Sequence, residues 1–73
     1  MELVGYRENL EMLRTEFPGR SAISVDECAR TLGVSRGLVY DSMKLSKNPL
    51  PYVKVGRRLT IPIPRLARWM CLR

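Results

Sequence analysis

The sequence of 73 residues predicts a mainly α-helical domain with one small β-hairpin. Three observations support this fold class: two short helical patterns separated by Gly33-Val34, two β-branched segments around Gly56-Arg57-Arg58, and a further helical pattern at each end of the chain. Two helices joined by so short a turn cross at a steep angle, so the second helix projects. The prediction is a single winged helix-turn-helix domain over 1–73, with an extra N-terminal helix.

The helix-turn-helix segment is predicted over 24–45. In its first helix Ser24 and Glu27 have the spacing of a capping box, which satisfies free amide groups at the helix start, and Gly33 can adopt the left-handed conformation that ends it. The apolar residues follow i, i+3, i+4 and i+7 spacing and form one stripe: Val25, Cys28, Ala29 and Leu32. Ser35 is the predicted N-cap of the second helix, whose inward residues are Val39 and Met43.

An accessory helix is predicted over 5–17. Its apolar stripe consists of Tyr6, Leu10, Leu13 and Phe17, and Pro18-Gly19 ends it. We expect this stripe to pack on the helix-turn-helix. Glu8 and Glu11 lie off the stripe, so the helix either enlarges the core or presents an acidic docking face.

A hairpin, the wing, is predicted over 52–61. The prolines of Asn48-Pro49-Leu50-Pro51 make a stiff linker before it. The predicted strands are Tyr52–Val55 and Leu59–Ile61, with Gly56-Arg57-Arg58 as the tip. Arg57 and Arg58 either keep an edge strand from aggregating or contact phosphates and the minor groove.

A C-terminal helix is predicted over 64–72. Pro64 is compatible with its first turn. Leu66, Trp69 and Met70 have helical spacing, and we expect Trp69, the one tryptophan of the chain, to lie in the core.

Charge is distributed unevenly along the chain, whose formal net charge is +6. Residues 1–29 carry three basic and six acidic residues, a net of −3, whereas residues 30–73 carry ten basic residues and Asp41, a net of +9. Such segregation favours a polyanionic partner for one half, and nucleic acid is the most common one.

Several other classes are disfavoured. No apolar run reaches the ~18 residues of a membrane span, and the N-terminus lacks the layout of a signal peptide. Cys28 and Cys71 are isolated thiols in a chain without histidine, so no metal site is expected, and the chain is expected in the reducing cytoplasm. No catalytic constellation or phosphate-binding loop is present, so we expect no enzyme activity, no cofactor and no small-molecule substrate.

The pattern from Ile23 to Met70 resembles the excisionase-type helix-turn-helix family, a branch of the MerR-like winged-helix superfamily. The matching segments are Ser24 to Ala29, Leu32 to Arg36, Val39-Tyr40, Pro51, Val53 to Arg58, Ile61-Pro62, Leu66 and Trp69-Met70. The resemblance implies either a small excision factor of a phage or integrative element, which bends DNA and biases an integrase towards excision, or a small transcription regulator. Asp41 departs from the family, which is often basic there, and the helix at 5–17 is not part of the family motif.

These observations together predict a sequence-preferring protein that binds double-stranded DNA. The candidate binding residues are Ser35, Arg36, Gly37, Tyr40, Lys44, Lys54, Arg57 and Arg58. In this interpretation the second helix lies on a phosphate at Ser35, Arg36 recognises guanine and Gly37 permits close backbone approach. An integrase or neighbouring copies on DNA are possible protein partners. A transcription regulator and a protein-interaction winged helix remain alternatives, and an RNA-binding protein is the weakest one because a helix does not fit the A-form major groove.

Overall fold

The computed structural model describes residues 4–71, which form four α-helices and a three-stranded antiparallel sheet. The helices are α1 (Tyr6–Glu16), α2 (Val25–Leu32), α3 (Arg36–Met43) and α4 (Ile63–Cys71), and the strands are β1 (Ala22–Ser24), β2 (Val53–Val55) and β3 (Arg58–Pro62). A helix therefore occupies each of the four predicted places. The predicted end of the last helix at residue 72 lies outside the described residues. In the described range, no helix has both the length and the apolar character needed to cross a membrane.

The sheet has one strand more than the predicted hairpin, so the fold is mixed α/β rather than mainly α. Strand β1 pairs with β3, with Ile23 opposite Ile61, and the strand order is β1-β3-β2. Both isoleucines are buried on the core side. Three residues are too few to show strand periodicity, and Ser24 is at once the end of β1 and the N-cap of α2. The sequence therefore indicated the N-cap of α2 at Ser24 but gave no signal for strand β1.

The wing has a tighter turn than predicted. Val55 is paired with Arg58, so only Gly56 and Arg57 form the turn, and Arg58 begins β3. Gly56 has a φ of 62°, a left-handed conformation that a residue with a side chain adopts at a cost. The prediction that the second strand begins at Leu59 is wrong by one residue.

Helix α1 packs chiefly along α4 and not, as predicted, on the segment 24–45 that contains α2 and α3. Leu13 is fully buried, and the Asn9 side chain donates a hydrogen bond to the carbonyl of Ala67 at 3.2 Å. The other stripe residues of α1 are partly buried against the core. With α2, α1 shares a hydrogen bond near its end, from Thr31 Oγ1 to Glu16 Oε1 at 3.1 Å. The apolar face of α4 includes Leu66 and Ala67, which are both inaccessible to solvent.

The segment predicted as a linker contributes to the core. Leu50 is 1% exposed, and its amide donates to the carbonyl of Ser42 in α3 at 2.9 Å. Trp69 is buried as predicted, and its Nε1 donates to the carbonyl of Asn48 at 2.8 Å. These contacts fix the end of α3 relative to α4 and to the start of the wing.

The capping box predicted at the start of α2 is present. The amide of Glu27 donates to Ser24 Oγ at 3.1 Å, and the amide of Ser24 donates to Glu27 Oε1 at 2.9 Å. Arg20 adds two hydrogen bonds to the same carboxylate, at 2.6 and 2.8 Å. The Arg20 guanidinium, and next the Ser24 amide, lower the pKa of Glu27 to about 2 from its ordinary value of 4.5.

We expect Glu27→Gln to reduce the free energy of unfolding at pH 7 by about 1 kcal/mol. The side-chain oxygen of glutamine can still accept from the amide of Ser24, but the neutral side chain cannot form an ion pair with Arg20. A carboxylate with a lowered folded-state pKa stabilises the fold above pH 4.5, and that stability is lost as the pH falls from 4.5 towards 2. Urea unfolding across this range should show the difference between variant and parent shrinking. The exposed Glu11→Gln is the control, and an equal effect there would contradict the prediction.

Candidate nucleic-acid interface

An open groove of about 460 Å³ lies between the start of α2, the face of α3 and the wing. Its walls include four arginines and one tyrosine: Arg20, Arg36, Tyr40, Arg57 and Arg58. The structure therefore brings together four of the eight predicted binding residues, from elements that are separated along the chain. In the groove walls the four arginines outnumber the single carboxylate, that of Asp26.

Helix α3 presents its groove side because its other side is anchored in the core. Val39 is 1% exposed and Met43 is partly buried, as the spacing predicted. The N-cap is Ser35, whose Oγ accepts from the amide of Leu38 at 3.2 Å. Arg36 and Tyr40 are four residues apart, so they lie on one face of the helix, and both are exposed.

The wing supplies two arginines whose charges are not neutralised by the protein. Arg57 lies in the two-residue turn and Arg58 is the first residue of β3. Both are exposed, and within residues 4–71 neither forms an ion pair. Guanidinium groups in this state are available to phosphate oxygens without first breaking a protein contact.

The other four predicted residues are exposed but do not line the groove. Ser35 lies at the start of α3 and Lys44 is its C-cap at the opposite end. Lys54 pairs with Leu59, so its side chain lies on the opposite face of the hairpin from that of Arg58. Gly37 has no left-handed φ, and a Cβ there would reach only Ser35 Oγ at 3.9 Å. The fold itself thus does not require glycine at this position.

Two groove residues, Arg20 and Asp26, were not predicted as site residues because they lie in the acidic half of the sequence. Arg36 forms an ion pair with Asp26 of α2, with 2.7 Å between Nε and Oδ1, and the two side chains are 64% and 59% exposed. Arg20 lines the groove while bound to Glu27. The sequence did offer a signal for the Asp26–Arg36 pair. Both residues lie in the first turns of helices that a tight turn joins.

A second basic surface lies on α4, outside the groove. Arg65 and Arg68 are exposed beside Asn48, Pro49 and Pro51. They add to the net positive charge of residues 30–73 without contributing to the groove. In the described part of the chain, no group of three histidine, cysteine or acidic side chains is placed to hold a metal ion.

No family model matches this sequence, and no curated protein or solved structure matches it significantly. The resemblance to the excisionase-type family therefore stays a prediction from the sequence pattern.

Proposed function

We propose that this protein binds double-stranded DNA with a sequence preference, placing α3 in the major groove and the wing on the flanking backbone. The observation that carries the proposal is the convergence of Arg36 and Tyr40 on α3 with Arg57 and Arg58 on the wing around one open groove. An arrangement that combines a projecting helix with a basic hairpin is typical of winged helix-turn-helix proteins.

The dimensions of α3 are compatible with this role. An α-helix with its side chains is about 10–12 Å across, and the B-DNA major groove is about 12 Å wide. Arg36 is the first residue after the N-cap, and the N-terminal residues of a recognition helix are the ones that reach base edges. A guanidinium at this position suits the bidentate contact to guanine O6 and N7.

The wing arginines suit contacts that position the protein rather than select bases. Their unpaired charges can bind phosphate oxygens of any sequence, and an arginine can enter a narrow minor groove. Their flanking strand β2 has exposed valines on the face of Arg58, Val53 and Val55, which can pack on the sugar edge of the backbone. In this arrangement α3 reads the sequence and the wing sets the register.

We further propose that the biological role is that of an excision factor of a phage or integrative element, one of the two roles that the resemblance in sequence implies; the other is a small transcription regulator. Glu8 and Glu11 on α1 are exposed, so this acidic face is available to an integrase or a neighbouring copy. Footprinting on the ends of the host element, with its promoter as the comparison, distinguishes the two roles. Protection confined to the promoter would overturn the excision proposal.

Arginine substitutions separate base recognition from backbone binding. On a duplex selected by the parent protein from a random library, Arg36→Ala should cost ~1–3 kcal/mol of binding free energy and cost less on a scrambled duplex. Arg57→Ala or Arg58→Ala should weaken binding to both duplexes about equally, since phosphates carry no sequence information. Fluorescence anisotropy at one fixed salt concentration measures these differences. Equal losses on both duplexes for Arg36→Ala would place Arg36 among the backbone contacts.

A further inference from the structure

We propose that Asp26 is a specificity-determining residue, which positions the guanidinium of Arg36 for base recognition and weakens binding to DNA that lacks the matching base. This inference rests on the proposed DNA-binding function. The carboxylate of Asp26 lies in the groove walls, although the residue belongs to the acidic half of the sequence.

Both partners of this ion pair are held by well-fixed backbone. Asp26 lies in the first turn of α2, next to the capping box of Ser24 and Glu27. Arg36 begins α3 directly after the N-cap Ser35. The tight turn at Gly33, which has a left-handed φ of 71°, joins the two helices, and the side chains of Asp26 and Arg36 meet between the first turns of α2 and α3.

The geometry of the pair leaves the far edge of Arg36 available. Its closest approach to Asp26 is through Nε, at 2.7 Å from Oδ1. Within residues 4–71 the guanidinium of Arg36 has this ion pair and no hydrogen bond through its terminal nitrogens. Those two nitrogens are the donors of a bidentate contact to a planar pair of acceptors. A carboxylate at Nε restricts the rotation of the guanidinium and so reduces the entropy lost when the terminal edge meets guanine.

On DNA that lacks the matching base, the charge of Asp26 weakens binding. Where Arg36 does not meet a base acceptor, the carboxylate only repels the phosphates that surround the groove. Because both side chains are more than half exposed, the pair contributes little to folding. Its main consequence is thus expected in the ratio between specific and non-specific affinity.

The test compares Asp26→Asn with Asp41→Asn, which removes the same charge from an exposed position on α3 outside the groove walls. Each variant is titrated against the duplex selected by the parent and against a scrambled duplex of equal composition. We expect Asp26→Asn to bind the scrambled duplex about threefold more tightly and to lose about tenfold in the ratio of the two affinities. Asp41→Asn should tighten binding to both duplexes alike and leave the ratio unchanged.

The same titrations in an Arg36→Ala background test whether Asp26 acts through Arg36. There Asp26→Asn should leave the ratio unchanged, because no guanidinium remains to be positioned. An unchanged or increased ratio for Asp26→Asn alone, or an equal fall in the ratio without Arg36, would overturn the inference. Thermal melting checks that the variants fold, and Asp26→Ser, which also suits a first helical turn, serves as a second substitution. If the parent selects no sequence from the random library, the proposed function fails instead.

Discussion

Replacement of Trp69 by alanine should lower the free energy of unfolding by about 3–5 kcal/mol, as the loss of a large core side chain does. Trp69 is 6% exposed and packs at the junction of α4 with the segment at 48–51. A domain of this size has only about 5–15 kcal/mol in total, so a substantial part of the variant should be unfolded at 37 °C. Urea unfolding followed by far-ultraviolet circular dichroism measures the loss.

Trp69→Phe is the matched control. Phenylalanine keeps most of the apolar contact but cannot donate to the carbonyl of Asn48, so we expect a smaller loss of about 1–2 kcal/mol. If Trp69→Ala unfolds at the same urea concentration as the parent but no longer binds DNA, Trp69 is a contact residue and the core assignment is wrong.

The helices could be predicted because their signals are local. The capping box of Ser24 and Glu27, the stop at Gly33 and the N-cap at Ser35 each involve residues within one helical turn, and the structure contains all three. The buried residues of α2 are also those of the predicted stripe, apart from the partly buried Leu32.

The features that were missed depend on contacts between distant segments. Strand β1 exists only because β3 pairs with it, some 38 residues later in the chain. Leu50 stands alone between two prolines, and no periodic pattern marks it as a core residue. The packing of α1 on α4 joins the two ends of the described chain, and an apolar stripe alone does not identify the surface that it covers.

The candidate site was predictable in part for the same reason. Exposed positions on α3 follow from helical periodicity once Val39 is assigned to the core, and the wing arginines follow from the glycine turn. Their common groove depends on tertiary packing. So does the Asp26–Arg36 pair, which crosses the point where the sequence changes from acidic to basic. Adding up charge by segment cannot show that a carboxylate of the acidic half lies in the basic groove.

Affinity for duplex DNA should fall steeply as the salt concentration rises. A plot of log affinity against log salt concentration should have a slope near −5, because about six basic side chains displace counterions from phosphates. The groove, the C-cap of α3 and the wing supply six basic side chains, of which Arg20 is paired with Glu27 and Arg36 with Asp26. They are Arg20, Arg36, Lys44, Lys54, Arg57 and Arg58. Raising salt from about 50 to 200 mM should then weaken binding by roughly a thousandfold.

Single substitutions locate the charges responsible for this salt dependence. Arg57→Ala should make the slope shallower by about 1, because one phosphate contact is removed. Arg68→Ala removes the same charge from the α4 surface outside the groove, so it should change the slope much less. Anisotropy titrations of a fluorescent duplex at several salt concentrations give all three slopes.

A parent slope shallower than about −2 would contradict DNA binding through the proposed surface, since two or fewer counterions would then be displaced. An equal change for Arg57→Ala and Arg68→Ala would show that net charge, and not the groove, determines affinity.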